Sequence, residues 1–298
     1  MQQCPRVRIF GAIEAGGTKF VCGVGTSPTD LRTIQIPTAT PAETIARAVE
    51  FLRSNESLAA VGVGSFGPVE LDRSSPDYGR ITTTPKPGWQ DVDLAGELGR
   101  ALGIPIAFNT DVNAAALGET KWGAGRDVAS CLYLTVGTGV GGGAIFNGVP
   151  LQGAMHPEVG HLRIPHDLAI DPFPGLCPFH GDCLEGLASG PAIAARWGQP
   201  AGDLAPDHPA WNLEARYLAL GIANIVFTIA PARVILGGGV MHQTHLFPAI
   251  RREFIQIVNG YLRMPRIVEH IDQYIVPPEL GDRSGVLGAL AMAIAEYR

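Results

Sequence analysis

Two strand–turn–strand units of the same plan recur about half a chain apart. In the first, the apolar run Val7–Ile13 leads into Ala15-Gly16-Gly17-Thr18, and Phe20–Gly25 continues as a second strand. In the second, Ser130–Val136 leads into Gly137-Thr138-Gly139-Val140-Gly141-Gly142-Gly143 and a further strand. Short apolar runs bounded by glycine read as buried strands. Their repetition predicts a duplicated α/β architecture with one glycine turn in each half. A chain of 298 residues is also long for one core, so two domains are expected.

Other elements follow from local signals. Thr40-Pro41-Ala42-Glu43 is a capping box with proline at the first helical position, and it starts a helix to about Arg53. Ala60–Ser65 and Ile104–Phe108 read as strands, with an Asp93-capped helix to Leu102 before the latter. The proline-rich stretch Pro68–Trp89 reads as a surface excursion. Helices are expected at Asn113–Trp122, Leu187–Trp197, Trp211–Ile229, Phe247–Leu262 and Ser284–Tyr297. Arg233–Leu236 reads as a strand entering Gly237-Gly238-Gly239, and Gly153–Cys183 as a long loop.

Several function classes are excluded early. The net charge is −6 and no basic run occurs, which argues against a nucleic-acid partner. Hydrophobic residues at 46% and charged residues at 17% are the balance of a globular protein. The longest apolar stretch, Leu218–Ala230, is too short to span a bilayer, and Glu14 breaks the N-terminal apolar run before it could act as a signal peptide. Five cysteines without secreted-domain spacing fit a reducing cytoplasm; Cys4, Cys22 and Cys131 carry no motif and read as buried or incidental thiols. His242, His245 and His270 have no readable partners.

Three glycine turns at strand ends point to chemistry. Backbone N–H groups can approach phosphate oxygens where side chains are absent, and Thr18, Lys19 and Thr138 add donors. None is a P-loop or dinucleotide fingerprint, because in the first two a strand follows where a helix is needed. Each alone is also a plain hairpin; three together predict phosphate or nucleotide binding. Asp111 sits between a strand end and a helix start, where it either takes a proton from a substrate hydroxyl or merely caps the helix.

His161, Cys177, His180 and Cys183 follow the pattern H-x15-C-x2-H-x2-C. Thiolates and imidazoles at this spacing can converge on one tetrahedral zinc ion, the plainer reading being two buried free cysteines and two surface histidines; four protein ligands leave no open position, so the metal would be structural. Glu158 and Glu185 flank the cluster, and either meet sugar hydroxyls or are ordinary surface carboxylates.

On these residues the chain resembles the ROK family of sugar kinases and repressors over essentially its whole length. Glu14-Ala15-Gly16-Gly17-Thr18-Lys19 is similar to the family's first phosphate loop, and Asp111-Val112-Asn113-Ala114-Ala115-Ala116-Leu117-Gly118-Glu119 to its catalytic-aspartate segment. Gly137–Gly143 resembles the second phosphate loop, and Glu158-Val159-Gly160-His161 with Cys183-Leu184-Glu185-Gly186 the family signature. Cys177–Cys183 followed by Leu184–Pro191 is most similar to bacterial fructokinases. Two positions depart from the common pattern: Thr110 stands where most sugar-kinase members have asparagine before the aspartate, with Asn109 one step earlier, and His180 replaces a cysteine.

The resemblance implies an actin-like ATPase fold, two ribonuclease H-like domains with a cleft between them, and a homodimer. It implies a smaller domain of residues 1–118 with 284–298 and a larger one of 119–283. Magnesium-ATP would lie against Gly16, Gly17, Thr18, Lys19, Thr138, Gly139, Pro191 and Gly237–Gly239. A hexose would meet Asn109, Thr110, Asp111, Glu158, His161 and Glu185, with Asp111 as base for transfer to O6 and fructose as first substrate. Glucose, mannose or an N-acetylhexosamine is the alternative acceptor. The repressor branch carries a DNA-binding helix-turn-helix ahead of the first glycine loop, and only thirteen residues precede Glu14 here. A non-catalytic sugar sensor would lack a carboxylate at position 111.

Overall fold

Strand propensity and glycine punctuation set the first unit. In the computed structural model, residues 8–55 and 58–297 are described; Cys4, Arg6 and Val7 lie outside the described residues. Strands β1 (Ile9–Ala15) and β2 (Lys19–Gly25) form an antiparallel hairpin, and β3 (Arg32–Pro37) adds antiparallel to β2. Helix α1 (Pro41–Arg53) begins where the capping box requires: the Thr40 side chain accepts from the Glu43 N–H. β4 (Leu58–Ser65) runs parallel to β1 and β5 (Ile106–Thr110) parallel to β4, with α2 (Leu94–Leu102) between them and α3 (Asp111–Trp122) after. The sheet order is β3-β2-β1-β4-β5.

The second unit repeats the plan. β6 (Ser130–Val136) pairs antiparallel with β7 (Val140–Phe146), and β8 (Val149–Pro150) adds at that edge. Helices α4 (Leu184–Ala188), α5 (Gly190–Trp197) and α6 (Ala210–Ile229) precede β9 (Val234–Gly237), which is parallel to β6. Helices α7 (Leu246–Val258), α8 (Pro265–Val268) and α9 (Ile271–Tyr274) lead to β10 (Ile275–Val276), parallel to β9. The order β10-β9-β6-β7-β8 therefore mirrors the first sheet: a central strand, a hairpin partner on one side, parallel strands on the other. Helix α10 (Ser284–Glu296) returns to pack on α3, β1 and β4.

The first unit runs to Arg126 and takes in Pro150–His156 and the segment from Arg283; the second comprises Asp127–Val149 and Pro157–Asp282. The crossing falls after Arg126 rather than at residue 119, because α3 continues through Trp122 while packed on α10. In the first core, Ile13, Phe20, Leu52, Val61, Val63 and Leu98 are fully buried; in the second, Leu134, Leu184, Leu218, Ile235, Ile250 and Phe254 are. Among the described residues no helix is long and apolar enough to cross a membrane.

Four local expectations change. The stretch Pro68–Trp89 is not a mere surface excursion: Val69, Leu71, Ile81 and Trp89 are buried. The Trp89 ring packs on Phe20 and Phe66, and its indole N–H donates to the Ala39 carbonyl at 2.9 Å. The strand expected at Ile104–Phe108 lies two residues later. The helix expected at Leu187–Trp197 starts earlier and is broken at Ser189, whose hydroxyl accepts from the Ala192 N–H while Pro191 occupies the first turn of α5. Helix α7 stops at Val258, four residues short, because Asn259 turns left-handed at φ 45°.

Candidate active site and metal centre

The first unit holds one glycine turn and the candidate base. Between β1 and β2 the Gly16 N–H donates to the Lys19 carbonyl at 3.0 Å. Thr38, just past β3, secures the turn from outside: its hydroxyl donates to the Gly16 carbonyl at 2.7 Å and its N–H to the Thr18 carbonyl at 2.9 Å. Thr18 and Lys19 are exposed, so their donors face solvent or a ligand.

Asp111 is the first residue of α3, and it is not the cap. The cap is Thr110, whose hydroxyl accepts from the Asn113 N–H at 3.1 Å and which is 3% exposed. The Thr110 side chain thus serves the start of the helix and sets the position of Asp111. The carboxyl of Asp111 is pushed up to about 7 by burial and by the Glu14 carboxylate. Glu14 in turn lies against the first turn of α10: a Cβ on Gly285 would sit 2.7 Å from both Glu14 carboxylate oxygens. A helix N-terminus favours negative charge there. A buried carboxyl held near neutrality beside a second carboxylate is suited to acid–base work.

Asn109 completes this group. Its side-chain oxygen accepts from the Thr110 N–H at 2.8 Å and from the Asn113 amide at 2.7 Å. Because a backbone N–H fixes which atom is the oxygen, the amide nitrogen is left as the outward donor. Asn109 also lines an open cavity of about 560 Å³ with Asp72, Arg73, Tyr78 and Gln152, all in the first unit.

The second unit holds the other two glycine turns and the metal ligands. Between β6 and β7 the Gly137 N–H donates to the Gly139 carbonyl at 2.8 Å. The turn is gripped from three sides. Gly190 at the start of α5 donates to the Gly137 carbonyl at 2.8 Å, and the Val140 N–H donates to Glu185 Oε2 at 3.0 Å. Gly160, beside Glu158, presses so close that a Cβ there would lie 1.8 Å from the Val140 carbonyl oxygen. That contact explains why glycine stands between Val159 and His161. The third turn leaves β9 at Gly237, with Gly238 at φ 91° and Gly239 exposed.

His161, Cys177, His180 and Cys183 converge, their ligand atoms all within 4.8 Å of one another. His161 Nδ1 is 3.7 Å from Cys177 Sγ and 3.6 Å from Cys183 Sγ, and His180 Nδ1 is 3.6 Å from Cys177 Sγ. Tetrahedral zinc with ordinary Zn–S and Zn–N lengths requires N···S edges of about 3.6 Å. The donor set and its spacing therefore fit a metal ion. Cys177 and Gly181 exchange backbone hydrogen bonds at 2.9 and 3.1 Å, which closes the knuckle that presents three of the ligands. Cys183 is also the residue preceding α4, so one metal-binding side chain begins the helix that carries Glu185.

Sequence reasoning missed the frame around this centre. Asp171 is 4% exposed and accepts from the Tyr217 hydroxyl at 2.6 Å and from Arg196 Nε at 3.2 Å. His166 joins Asp182 at 3.3 Å to the Asp171 carbonyl at 3.0 Å, and Arg163 donates to the His180 carbonyl at 2.6 Å. No local signal marks Asp171, since its side-chain partners come from α5 and α6, and those of His166 and Arg163 are scattered along the loop before α4. Cys22 and Cys131 are buried as expected, and His242 does have a partner, Asp282, at 2.9 Å.

Comparison with known proteins agrees with this arrangement. The ROK family model matches residues 10–296. Fructokinase of Pediococcus pentosaceus is 45% identical, over 97% of this chain and 99% of its own length. Glucokinase of Streptomyces coelicolor is 29% identical over 94% of this chain and 96% of its own. The structure of a ROK family glucokinase from Streptomyces griseus in complex with glucose and AMPPNP superposes with a TM-score of 0.76 at 25% identity, covering 96% of this chain and 99% of that one. With two sheets of mirrored order, glycine turns at the same place in both and matched motifs from end to end, the chain belongs to the ROK family.

Proposed function

We propose that the chain is an ATP-dependent hexose kinase that transfers the γ-phosphoryl group to O6 of D-fructose, giving fructose 6-phosphate and ADP. The observation that carries this reading is Asp111: a carboxyl released from capping by Thr110 and held at about 7 beside Glu14. As the anion, Asp111 accepts the proton of the 6-hydroxyl; O6 attacks the γ-phosphorus as the bond to the β-phosphate oxygen breaks, and ADP leaves.

The remaining roles follow from chemistry. Gly16, Gly17, Thr18 and Lys19 in the first unit, and Thr138, Gly139, Pro191 and Gly237–Gly239 in the second, serve the nucleotide, their N–H groups and hydroxyls meeting phosphate oxygens. Asn109, Glu158 and Glu185 orient the sugar, and His161 serves mainly the metal. Magnesium, when bound, neutralises the transferred phosphoryl charge. Zinc, when bound, would hold His161, Cys177, His180 and Cys183 and so order the loop between Glu158 and Glu185. A homodimer in the cytoplasm is part of the same reading, supported by the resemblance, and light scattering after size exclusion tests the dimer.

Fructose is favoured over glucose because a fructokinase is matched at 45% identity and a glucokinase at 29%. The test is a coupled ADP-release assay across fructose, glucose, mannose and N-acetylhexosamines. Fructose should lead by at least about tenfold in kcat/KM, a separation one or two altered hydroxyl contacts supply. Glucose or an N-acetylated sugar leading by tenfold overturns the substrate, and no transfer to any hexose overturns the kinase reading.

A further inference from the structure

Glu185 carries two relations at once. Resting on the reading above, its carboxylate meets the acceptor sugar; in the structure, its Oε2 also accepts the N–H of Val140, the residue that closes the second glycine turn, at 3.0 Å. The same short segment holds the turn again through Gly190, which donates to the Gly137 carbonyl at 2.8 Å. Helix α4 is about one and a half turns long and follows directly on the metal ligand Cys183, so Glu185 has little freedom to leave one partner for the other. We propose that Glu185 is the positioning residue of the second phosphate turn and couples sugar binding to nucleotide binding. A sugar hydroxyl that fixes the carboxylate fixes the Val140 N–H and with it the turn's conformation. Each ligand then lowers the ordering cost of the other, and the coupling is reciprocal by thermodynamic necessity.

Gly139 reads this link from the nucleotide side. A Cβ there would lie 2.5 Å from Glu185 Oε2, while the residue has no left-handed φ, so alanine suits the backbone and displaces the flexible end of Glu185 instead. Gly139→Ala should therefore weaken fructose binding by about 5-fold or more in nucleotide-free protein, read by calorimetry, the range typical of coupled sites. A fructose Kd within 2-fold of the parent protein overturns the link, because a turn that serves only phosphate has no way to move it. The second arm compares ADP affinity with and without saturating fructose. The parent protein should show at least about 5-fold tightening. Glu185→Asp, one methylene too short for Val140, should fall below 2-fold, and Glu185→Gln, which keeps a carbonyl acceptor, should retain most of it. Equal tightening in the parent protein and Glu185→Asp also overturns the proposal. If the parent protein phosphorylates fructose yet shows no such tightening, the coupling fails and the kinase reading stands. If it neither binds nor phosphorylates fructose, the kinase reading itself fails and takes the coupling with it.

Discussion

The two hairpin glycine turns occupy equivalent places in mirrored sheets, yet they are held in different ways. The first, between β1 and β2, is secured by one side chain: the Thr38 hydroxyl on the Gly16 carbonyl, with its backbone on Thr18. The second, between β6 and β7, is gripped by Glu185, Gly190 and Gly160, all from segments flanking the metal ligands. The same hairpin recurs in both sheets, and in the second the groups that hold it come from residues distant in sequence, beside the metal ligands. The candidate base belongs to the lightly held half, so chemistry and turn rigidity are assigned to different units.

The largest expected effect tests that assignment. Asp111→Asn keeps volume and removes the base, so turnover should fall by about 10²–10⁴-fold while ADP affinity stays within a few-fold. A comparable loss of ADP affinity would break the separation. The same variant carries a stability signature. The Asp111 carboxyl is raised from 3.8 to about 7, so the folded state holds the proton more tightly than the unfolded one. Stability from this group is then full below about pH 4 and is lost as pH rises through 7. The substituted amide never ionises, so the variant should melt above the parent protein at pH 8, with the gap closing near pH 4. In the parent protein kcat/KM should rise with pH through about 7.

Next in size is Cys183→Ser. It removes the metal ligand immediately ahead of α4, so metal content, melting temperature and ADP affinity should fall together, ADP by roughly tenfold through the lost grip on the second turn. ADP affinity unchanged after complete metal loss, by mutation or chelation, would show the two turns to be equally independent. The smallest effect is Thr38→Val, which deletes one hydroxyl on the first turn. A lost hydrogen bond of about 1 kcal/mol corresponds to a roughly 5-fold higher KM for ATP, with fructose binding unaffected. A larger effect than that of Cys183→Ser would reverse the comparison.

Much of this was legible in the sequence because it is local. Glycine between two apolar runs marked both hairpins, and the H-x15-C-x2-H-x2-C spacing marked ligands that do converge. Asp111 was visible, but whether it caps α3 was not, since Thr110 and Asp111 are both good caps and only the start of the helix decides between them. The Glu185–Val140 bond joins residues 45 positions apart, and the Asp171 frame draws on three elements; neither leaves a periodic trace. Trp89 was misread because proline and glycine density predicts turns and says nothing about which turn folds back onto the core.

The most direct measurement is the product of one reaction: purified protein with magnesium-ATP and D-fructose, followed by phosphorus and carbon NMR. Stoichiometric ADP and a single sugar phosphate bearing its phosphate on O6 are expected, with at most about a hundredth as much formed by Asp111→Asn over the same interval. Phosphate at another hydroxyl, or ATP consumed to inorganic phosphate without a sugar phosphate, would contradict the proposed transfer.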